Sequence, residues 1–174
     1  MAQNEPQRAA LSPAAGVDAF TIEPMRVSDL DAVAALEAVV SNPAWSRVMF
    51  ESELTTNQFA GFLVARQLGG GLCGYIGYWV VFEELHLLNV VVRPDWRRRG
   101  VATRMVQAVF ESAAAKGVTR ALLEVRASNL PAQGLYDKFG FQVIARRSGY
   151  YTKPAEEALI MACDGLGGGG TTQH

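Results

Sequence analysis

Three consecutive arginines, Arg97 to Arg99, stand directly before Gly100, where an apolar strand pattern gives way to a helical one. The first N–H groups of a helix have no partner within the helix, and the helix dipole adds partial positive charge at that end. A glycine lets a ligand approach the backbone closely, and guanidinium groups donate the charge-assisted hydrogen bonds that suit phosphate. The pattern therefore fits a site for pyrophosphate. A solvated basic loop before an ordinary helix is the alternative, and for an isolated basic turn it is the more frequent one.

Glu124 is a second candidate, within the apolar strand pattern of residues 120–127. Because successive side chains of a strand point to opposite faces, Glu124 shares a face with Leu122 and Arg126. A carboxylate on a partly polar face could serve as a catalytic base, and it could equally form a structural ion pair with Arg126. The strand pattern alone does not distinguish the two.

The elements that must position these residues follow from the periodicity of the apolar residues. They are a strand over 19–25, a helix opened by Ser28 with Asp31, a short helix after Trp45 and Ser46 to about Leu54, two strands over 58–67 and 72–82 joined by Gly69, Gly70 and Gly71, a strand over 85–92, a helix from Gly100 to Gly117, a strand over 120–127, a short helix over 129–139, and strands over 141–147 and 156–163. This order predicts an α/β domain with a mixed, mostly antiparallel central sheet of about seven strands and about four helices. The apolar strand 85–92 should lie centrally in the sheet.

Composition limits the function further. The 174 residues, 49% of them hydrophobic, are enough for one domain, predicted over 18–164, between disordered segments at 1–17 and at the Gly-rich residues 165–174. A formal net charge of -1 indicates no broad attraction to nucleic acid or to an anionic membrane. The chain shows no secretory signal and no apolar run of the roughly 18 residues that span a bilayer, so we expect a cytoplasmic protein. Cys73 and Cys163 lack His or Cys neighbours at metal spacing, which predicts buried free thiols and no metal site.

Two motifs resemble a known family. Arg-x-x-Gly-x-Ala at 97–102 resembles the acetyl-CoA pyrophosphate loop of the GCN5-related N-acetyltransferases (GNAT), whose pattern is Gln or Arg, x, x, Gly, x, Gly or Ala. "LLEVRASNLPAQGLYDKFGF" (122–141) is similar to the corresponding segment of the RimI-type enzymes of that superfamily, and "RRSGYYTKPAEEALIMA" (146–162) resembles their C-terminal strands. The resemblance covers about residues 18–163. It implies a GNAT fold with a splayed central strand pair, acetyl-CoA as co-substrate, and acetylation of a protein N-terminus, most typically the N-terminal alanine of a small-subunit ribosomal protein.

The resemblance also implies which residues hold acetyl-CoA. The pyrophosphate would lie on the 97–103 loop and helix start, and the pantetheine arm along the backbone of strand 85–92, where the N–H of Val91 could polarise the thioester carbonyl. The implied cofactor-binding residues are Asn89, Val90, Val91, Val92, Arg97, Arg98, Arg99, Gly100, Val101, Ala102, Thr103, Asn129 and Tyr136. Without the resemblance, residues 89–92 are sheet core, and Asn129 before "Leu-Pro" is a helix N-cap.

Two residues carry the chemistry that the resemblance implies. The attacking amine must be neutral, and Glu124 would serve as its base, through water. Tyr136 would protonate the departing thiolate, because a phenol with a reference pKa near 10 keeps its proton at neutral pH. An aromatic at position 136, beside Leu135 and Phe139, is otherwise more often a core residue.

The acceptor implied is a protein α-amine. With reference pKa values near 7.8 for an α-amine and 10.4 for lysine, about one α-amine in seven and about one lysine in 2,500 is neutral at pH 7. Trp45, Tyr150 and Tyr151 would border the peptide groove, although ordinary strand aromatics explain the tyrosines equally well. The family usually carries "PWS" in its first helical loop, whereas Ala44 separates Pro43 from Trp45 here, so the preferred N-terminal residue stays open.

Two other functions remain possible at this point. The same scaffold could acetylate a small amine such as a polyamine or an antibiotic. A non-catalytic acetyl-CoA-binding module would keep the 97–102 loop but would have no need of Glu124 and Tyr136. We expect a monomer whose partner is a protein or peptide N-terminus.

Overall fold

The computed structural model of the protein describes residues 19–166. The predicted disordered segments, 1–17 and 165–174, lie outside this range except for Gly165 and Leu166. The backbone N–H groups of these two residues donate to the carbonyl oxygen of Thr119, at 2.8 and 3.2 Å. The ordered chain therefore continues past the predicted domain end at residue 164.

Within the described residues, seven strands and four helices follow one another in the predicted order. They are β1 (Phe20–Pro24), α1 (Leu30–Val40), α2 (Arg47–Thr56), β2 (Ala60–Gln67), β3 (Leu72–Val81), β4 (Glu84–Val92), α3 (Val101–Ala115), β5 (Arg120–Arg126), α4 (Leu130–Lys138), β6 (Gln142–Thr152) and β7 (Ala155–Asp164). The predicted α/β class, strand number and helix number are confirmed. β6 extends beyond its predicted end at Arg147.

One predicted helix start is wrong. The first helix was expected to open with Ser28 and Asp31, but α1 begins at Leu30, after a 3₁₀ turn over Val27–Asp29. The turn forms because the Asp29 carboxylate accepts a hydrogen bond from the backbone N–H of Arg26, at 2.9 Å.

The strands form one sheet in the order β1-β2-β3-β4-β5-β7-β6, and only β4 and β5 are parallel neighbours. Their pairing covers Glu84–Leu87 of β4 and Arg120–Leu123 of β5, and it ends there. The register of β4 with β3 shifts at the same place, with Leu88 as the extra residue. The central strand pair therefore separates toward its C-terminal end, as predicted, and strand 85–92 lies in the middle of the sheet.

Two apolar clusters hold the helices to the two faces of the sheet. Helices α1 and α2 cover one face, where Leu30, Val33 and Phe50 are fully buried against Tyr75 of β3. Helix α3 covers the other face through residues such as Met105 and Val106, which are also fully buried, and α4 packs on the same side. Cys73 and Cys163 are buried and unbridged, which confirms the prediction for both thiols.

Candidate active site

A groove of about 620 Å³ lies where β4 and β5 separate. Strand residues form its floor, and aromatic and charged side chains form its walls. The lining residues are Trp45, Trp79, His86, Leu87, Leu88, Asn89, Leu122, Leu123, Glu124, Arg147, Tyr150, Tyr151 and Ile160. Five residues predicted for the site, namely Trp45, Asn89, Glu124, Tyr150 and Tyr151, therefore meet in one groove.

Glu124 lies on β5 just beyond the last residue that pairs with β4, so its side chain enters the groove at the point of separation. Its side chain is 38% exposed, and one carboxylate oxygen is 3.6 Å from the Arg147 guanidinium. Hydrogen bonding to Glu124, followed by burial, raises the pKa of Tyr150 to about 12. Glu124 is thus a solvent-accessible carboxylate beside a cation and a protonated phenol.

Arg126 is not the partner of Glu124. Its guanidinium pairs with Glu156 at 3.4 Å and lies 4.0 Å from the centre of the Tyr151 ring. It also donates to the carbonyl oxygen of Asn42, in the loop between α1 and α2, at 3.1 Å, and to that of Lys153 at 3.2 Å. The structural alternative, an ion pair with Glu124, is therefore wrong, because Arg126 joins the loop on one wall of the groove to the β6–β7 hairpin on the other.

The tyrosine wall arises from an irregularity in β6. The register of β6 with β7 shifts between Arg147 and Tyr151, and Gly149 within that segment has a φ of 66°. Bulges bend a strand and redirect its side chains. Both tyrosines face the groove as a result, with their ring centres 5.0 Å apart.

The opposite wall is fixed by a buried carboxylate. Glu37 of α1 is 1% exposed and accepts hydrogen bonds from the backbone N–H of Trp45, at 3.2 Å, and the hydroxyl of Ser41, at 2.8 Å. The Trp45 ring packs on Phe50, 5.3 Å between centres. Ser46, next along the chain, caps α2 by accepting from the N–H of Met49. These contacts place Trp45 at the groove.

Tyr136 does not line the groove. It lies on α4 with 8% of its surface exposed, and its ring packs against Phe141, 5.7 Å between centres. Burial, and then the proximity of Tyr151, raises the pKa of Tyr136 to about 12. Among residues 19–166 its hydroxyl has no hydrogen-bond partner, yet it is not among the side-chain atoms sealed from solvent. It is therefore a protonated donor that can still reach a ligand.

The basic loop has the backbone shape expected of an anion site. Arg98 and Gly100 both adopt left-handed conformations, with φ of 60° and 77°, so the chain turns sharply into α3. The first helical bond runs from the N–H of Arg104 to the carbonyl of Gly100, which leaves the N–H groups of residues 101–103 at the open end of the helix. The Arg99 guanidinium lies 4.9 Å from the centre of the Trp96 ring, while Arg97 and Arg98 are exposed.

The backbone of β4 is open on one side. Asn89, Val90 and Val91 pair with β3, whereas the ladder to β5 has already ended. Backbone groups that face the gap are available to an extended ligand. At the far end of β5, the Asn129 side-chain oxygen accepts from the N–H of Ala132 at 3.2 Å, which confirms its predicted role as an N-cap. Its amide nitrogen has no hydrogen-bond partner within residues 19–166.

Eight groove residues were not predicted, and three of them, Trp79, His86 and Arg147, are aromatic or charged side chains. Trp79 and His86 are cross-strand neighbours on β3 and β4. His86, whose ring nitrogen is 3.2 Å from the Glu84 carboxylate, could have been noticed as one of two polar residues in an otherwise apolar strand. Arg147 could not, because its approach to Glu124 depends on the pairing of β6 with β7.

Residues 19–166 contain neither a metal-binding cluster nor a membrane-spanning helix. Over residues 19–166, no group of three or more His, Cys, Asp or Glu side chains is arranged to hold a metal ion. In the same range, no helix is long and apolar enough to cross a membrane.

Comparisons with known proteins agree with this geometry. The sequence model of the acetyltransferase (GNAT) family matches residues 30–141. A Bacillus subtilis protein, named as a candidate ribosomal protein bS18-alanine N-acetyltransferase, is 39% identical over 137 residues, which are 79% of this chain and 90% of that protein. The crystal structure of the Escherichia coli ribosomal-protein-S18-alanine N-acetyltransferase matches with a TM-score of 0.77 and 29% identity, over 89% of this chain and 99% of that one. Arabidopsis thaliana NAA60 in complex with acetyl-CoA shares the fold, with a TM-score of 0.74 and 16% identity over 83% of this chain and 98% of that one.

Proposed function

Since this chain belongs to the acetyltransferase (GNAT) family, we propose that it transfers the acetyl group of acetyl-CoA to the N-terminal amine of a protein, and that this protein is ribosomal protein bS18 with an N-terminal alanine. The names of the relatives at 39% and 29% identity support this substrate. A ribosomal protein as substrate would place the enzyme in the cytoplasm.

The observation that carries the proposal is the position of Glu124. Its carboxylate lies in a groove that opens between β4 and β5, bordered by Trp45 on one side and two tyrosines on the other. A groove with aromatic walls and a few polar groups suits an extended peptide end better than a compact polar amine. The carboxylate lies just beyond the point where the pairing of β4 and β5 ends, so an incoming amine would meet it at the gap between the strands.

Acetyl-CoA would be held by two parts of this chain. Arg97, Arg98 and the N–H groups of residues 101–103 present positive charge and hydrogen-bond donors to the pyrophosphate. The unpaired edge of β4, from Asn89 to Val92, presents backbone groups to the pantetheine arm, and the N–H of Val91 to the thioester carbonyl. The free amide nitrogen of Asn129 supplies a further donor. When bound, acetyl-CoA supplies the activated acetyl group.

Glu124 acts as the base, through a water molecule in the groove. An α-amine near its reference pKa of about 7.8 is about one-seventh neutral at pH 7, so a weak base suffices. Arg147, 3.6 Å away, keeps a cation beside the carboxylate. The phenol of Tyr150, which stays protonated at neutral pH, can hydrogen-bond to it and orient it.

Tyr136 assists the departing thiolate. Its pKa of about 12 means that it remains protonated across the physiological range. A thiol has a reference pKa of about 8.5, so complete transfer of the phenolic proton to sulfur is unfavourable. Hydrogen-bond donation to the developing charge is therefore its main contribution.

The test is the release of CoA with three acceptors: a peptide that begins with alanine, the same peptide with a blocked N-terminus and internal lysines, and a polyamine. We expect turnover with the free peptide alone. Turnover with the polyamine alone would move the chain to small-amine acetylation. Binding of acetyl-CoA without turnover of any acceptor would support a non-catalytic module.

A further inference from the structure

A chain of hydrogen bonds joins the groove to the buried carboxylate of Glu37. The Asn89 amide nitrogen lies 3.2 Å from the Tyr75 hydroxyl, and that hydroxyl lies 2.5 Å from a Glu37 oxygen. Tyr75 is fully buried and Glu37 is 1% exposed, whereas Asn89 lines the groove. Among residues 19–166, the hydrogen bonds of these two buried residues reach the groove through Asn89 and through the Trp45 backbone.

The direction of each hydrogen bond in this chain is determined. The backbone N–H of Trp45 can only donate, so the Glu37 oxygen that it meets must accept. Burial, followed by the hydrogen bond to Glu37, raises the pKa of Tyr75, so the phenol keeps its proton and donates it to the carboxylate. The Tyr75 oxygen is then left as an acceptor, and only the NH₂ group of Asn89 can satisfy it.

Because the Asn89 NH₂ group donates to Tyr75, the side-chain carbonyl oxygen of Asn89 is left as an acceptor. Its carbonyl oxygen has no hydrogen-bond donor among residues 19–166. Val91, two residues along β4, packs in the cluster under α1 and α2, so Asn89 points to that face of the sheet. Leu123 and Val125 pack in the opposite cluster, so Glu124 points to the same face as Asn89. The carbonyl and the carboxylate thus border one groove.

We propose that the side-chain carbonyl of Asn89 accepts a hydrogen bond from the α-amine of the substrate and holds it beside Glu124. This inference rests on the proposed N-terminal acetylation. A primary amine has one N–H for Asn89, another for the water that leads to Glu124, and a lone pair left for the acetyl carbon. Glu37 and Tyr75 do not touch the substrate; they are positioning residues that keep the carbonyl, and not the NH₂, turned toward the amine.

Two substitutions separate this role from simple packing. Asn89→Leu removes the acceptor at similar size. Glu37→Gln keeps the shape but reverses the chain, because the Trp45 N–H requires the amide oxygen on its side and so places the amide NH₂ against Tyr75. Tyr75 would then donate to Asn89, which would turn its own NH₂ toward the amine. Glu53→Gln is the matched control, because Glu53 accepts from the Trp79 indole at 2.8 Å and has no contact with Tyr75.

The experiment measures peptide affinity in the presence of CoA. One peptide begins with alanine, and the other begins with a propionyl group, which lacks only the amine. Most of the free α-amine is protonated at pH 7, and a hydrogen bond to this charged group predicts that the wild-type protein and Glu53→Gln bind the amine peptide about tenfold tighter or more than the propionyl peptide. We expect the ratio of the two affinities, that for the amine peptide over that for the propionyl peptide, to fall toward one in Asn89→Leu and in Glu37→Gln.

The outcomes are distinguishable. Suppose that the wild-type protein acetylates the alanine peptide. If Asn89→Leu then keeps the full affinity ratio between the two peptides, or loses affinity for both peptides alike, this inference is overturned and the proposed function stands. A lost ratio in Glu53→Gln as well would show that disturbing any carboxylate bonded to a groove residue has this effect, and would overturn the argument from polarity. If the wild-type protein neither distinguishes the peptides nor acetylates either, the proposed function itself fails. Should Glu37→Gln not fold, Asn89→Leu decides alone.

Discussion

Tyr136→Phe removes one hydroxyl and nothing else from a side chain that is 8% exposed and packed on Phe141. Among the described residues that hydroxyl has no hydrogen-bond partner, so its loss should leave the fold unchanged. Any effect of the substitution on turnover therefore reports on what the hydroxyl does for the substrate.

The size of the effect follows from the pKa of Tyr136, about 12, against a reference value of about 8.5 for a thiol. Complete proton transfer to the sulfur would be unfavourable by about 5 kcal/mol, which rules it out as the main contribution. A hydrogen bond to charge that develops in the transition state contributes about 100- to 1,000-fold. We therefore expect Tyr136→Phe to lower kcat by about a hundredfold, or about 2.7 kcal/mol, with the Kd for CoA little changed.

The assay is CoA release from acetyl-CoA with an alanine-starting peptide, measured from pH 6 to pH 10. Because the phenol titrates only near pH 12, its ionisation should produce no fall in the wild-type rate within this range. Tyr78→Phe is the matched control, since Tyr78 is also 8% exposed and burial raises its pKa, but it lies on β3, which does not border the gap between β4 and β5. A kcat within threefold of the wild-type value for Tyr136→Phe, or an equal loss in Tyr78→Phe, would refute the assignment.

Three further predictions concern other parts of the structure. Glu124→Gln should lower kcat by about a hundredfold at pH 7 and recover in part toward pH 9, where the α-amine is already neutral; a flat pH profile in CoA-release kinetics would count against the base. Arg98→Glu should raise the Kd for CoA about tenfold or more by calorimetry, whereas Lys116→Glu, at the other end of α3, should not. Burial alone would raise the pKa of Asp29, but the hydrogen bond from Arg66, at 2.8 Å, together with that from the Arg26 backbone N–H and the charges of both arginines, outweighs burial and lowers that pKa. The ionised pair thus stabilises the fold at pH values above the pKa that Asp29 has in the unfolded chain. This stabilisation is lost as the pH falls through the lower pKa that Asp29 has in the folded protein. Arg66→Met should reduce the free energy of unfolding at pH 7 by about 1–3 kcal/mol and flatten its acid dependence in urea titrations.

The order of strands and helices could be predicted from the sequence because each element carries its own local pattern. Each of these patterns lies within about 15 residues of sequence. Examples are the apolar spacing of α3, the glycines between β2 and β3, and the apolar run of β4. The loop before α3 and the segment around Glu124 could be assigned from their resemblance to a family. These parts of the prediction did not depend on contacts between distant residues.

The rest of the site depends on contacts between distant segments, which no local pattern shows. Arg126 meets Asn42 across 84 positions of sequence, and Tyr75 meets Glu37 across 38. In the sequence, Glu37 is one of two acidic residues on an amphipathic helix, and only the packing of α1 on β3 shows that it is buried. The prediction left open a pairing of Glu124 with Arg126 because they share a strand face, yet both find partners on β6 or β7.

The central claim is that this protein acetylates an α-amine, and tandem mass spectrometry tests it most directly. The purified protein would be incubated with acetyl-CoA and a peptide that carries the N-terminal alanine of bS18 and internal lysines. We expect a single acetyl group, located on the α-amine of the alanine, and its loss in Glu124→Gln. Acetyl groups on the lysines with a free N-terminus, or no acetylation at all, would contradict this claim.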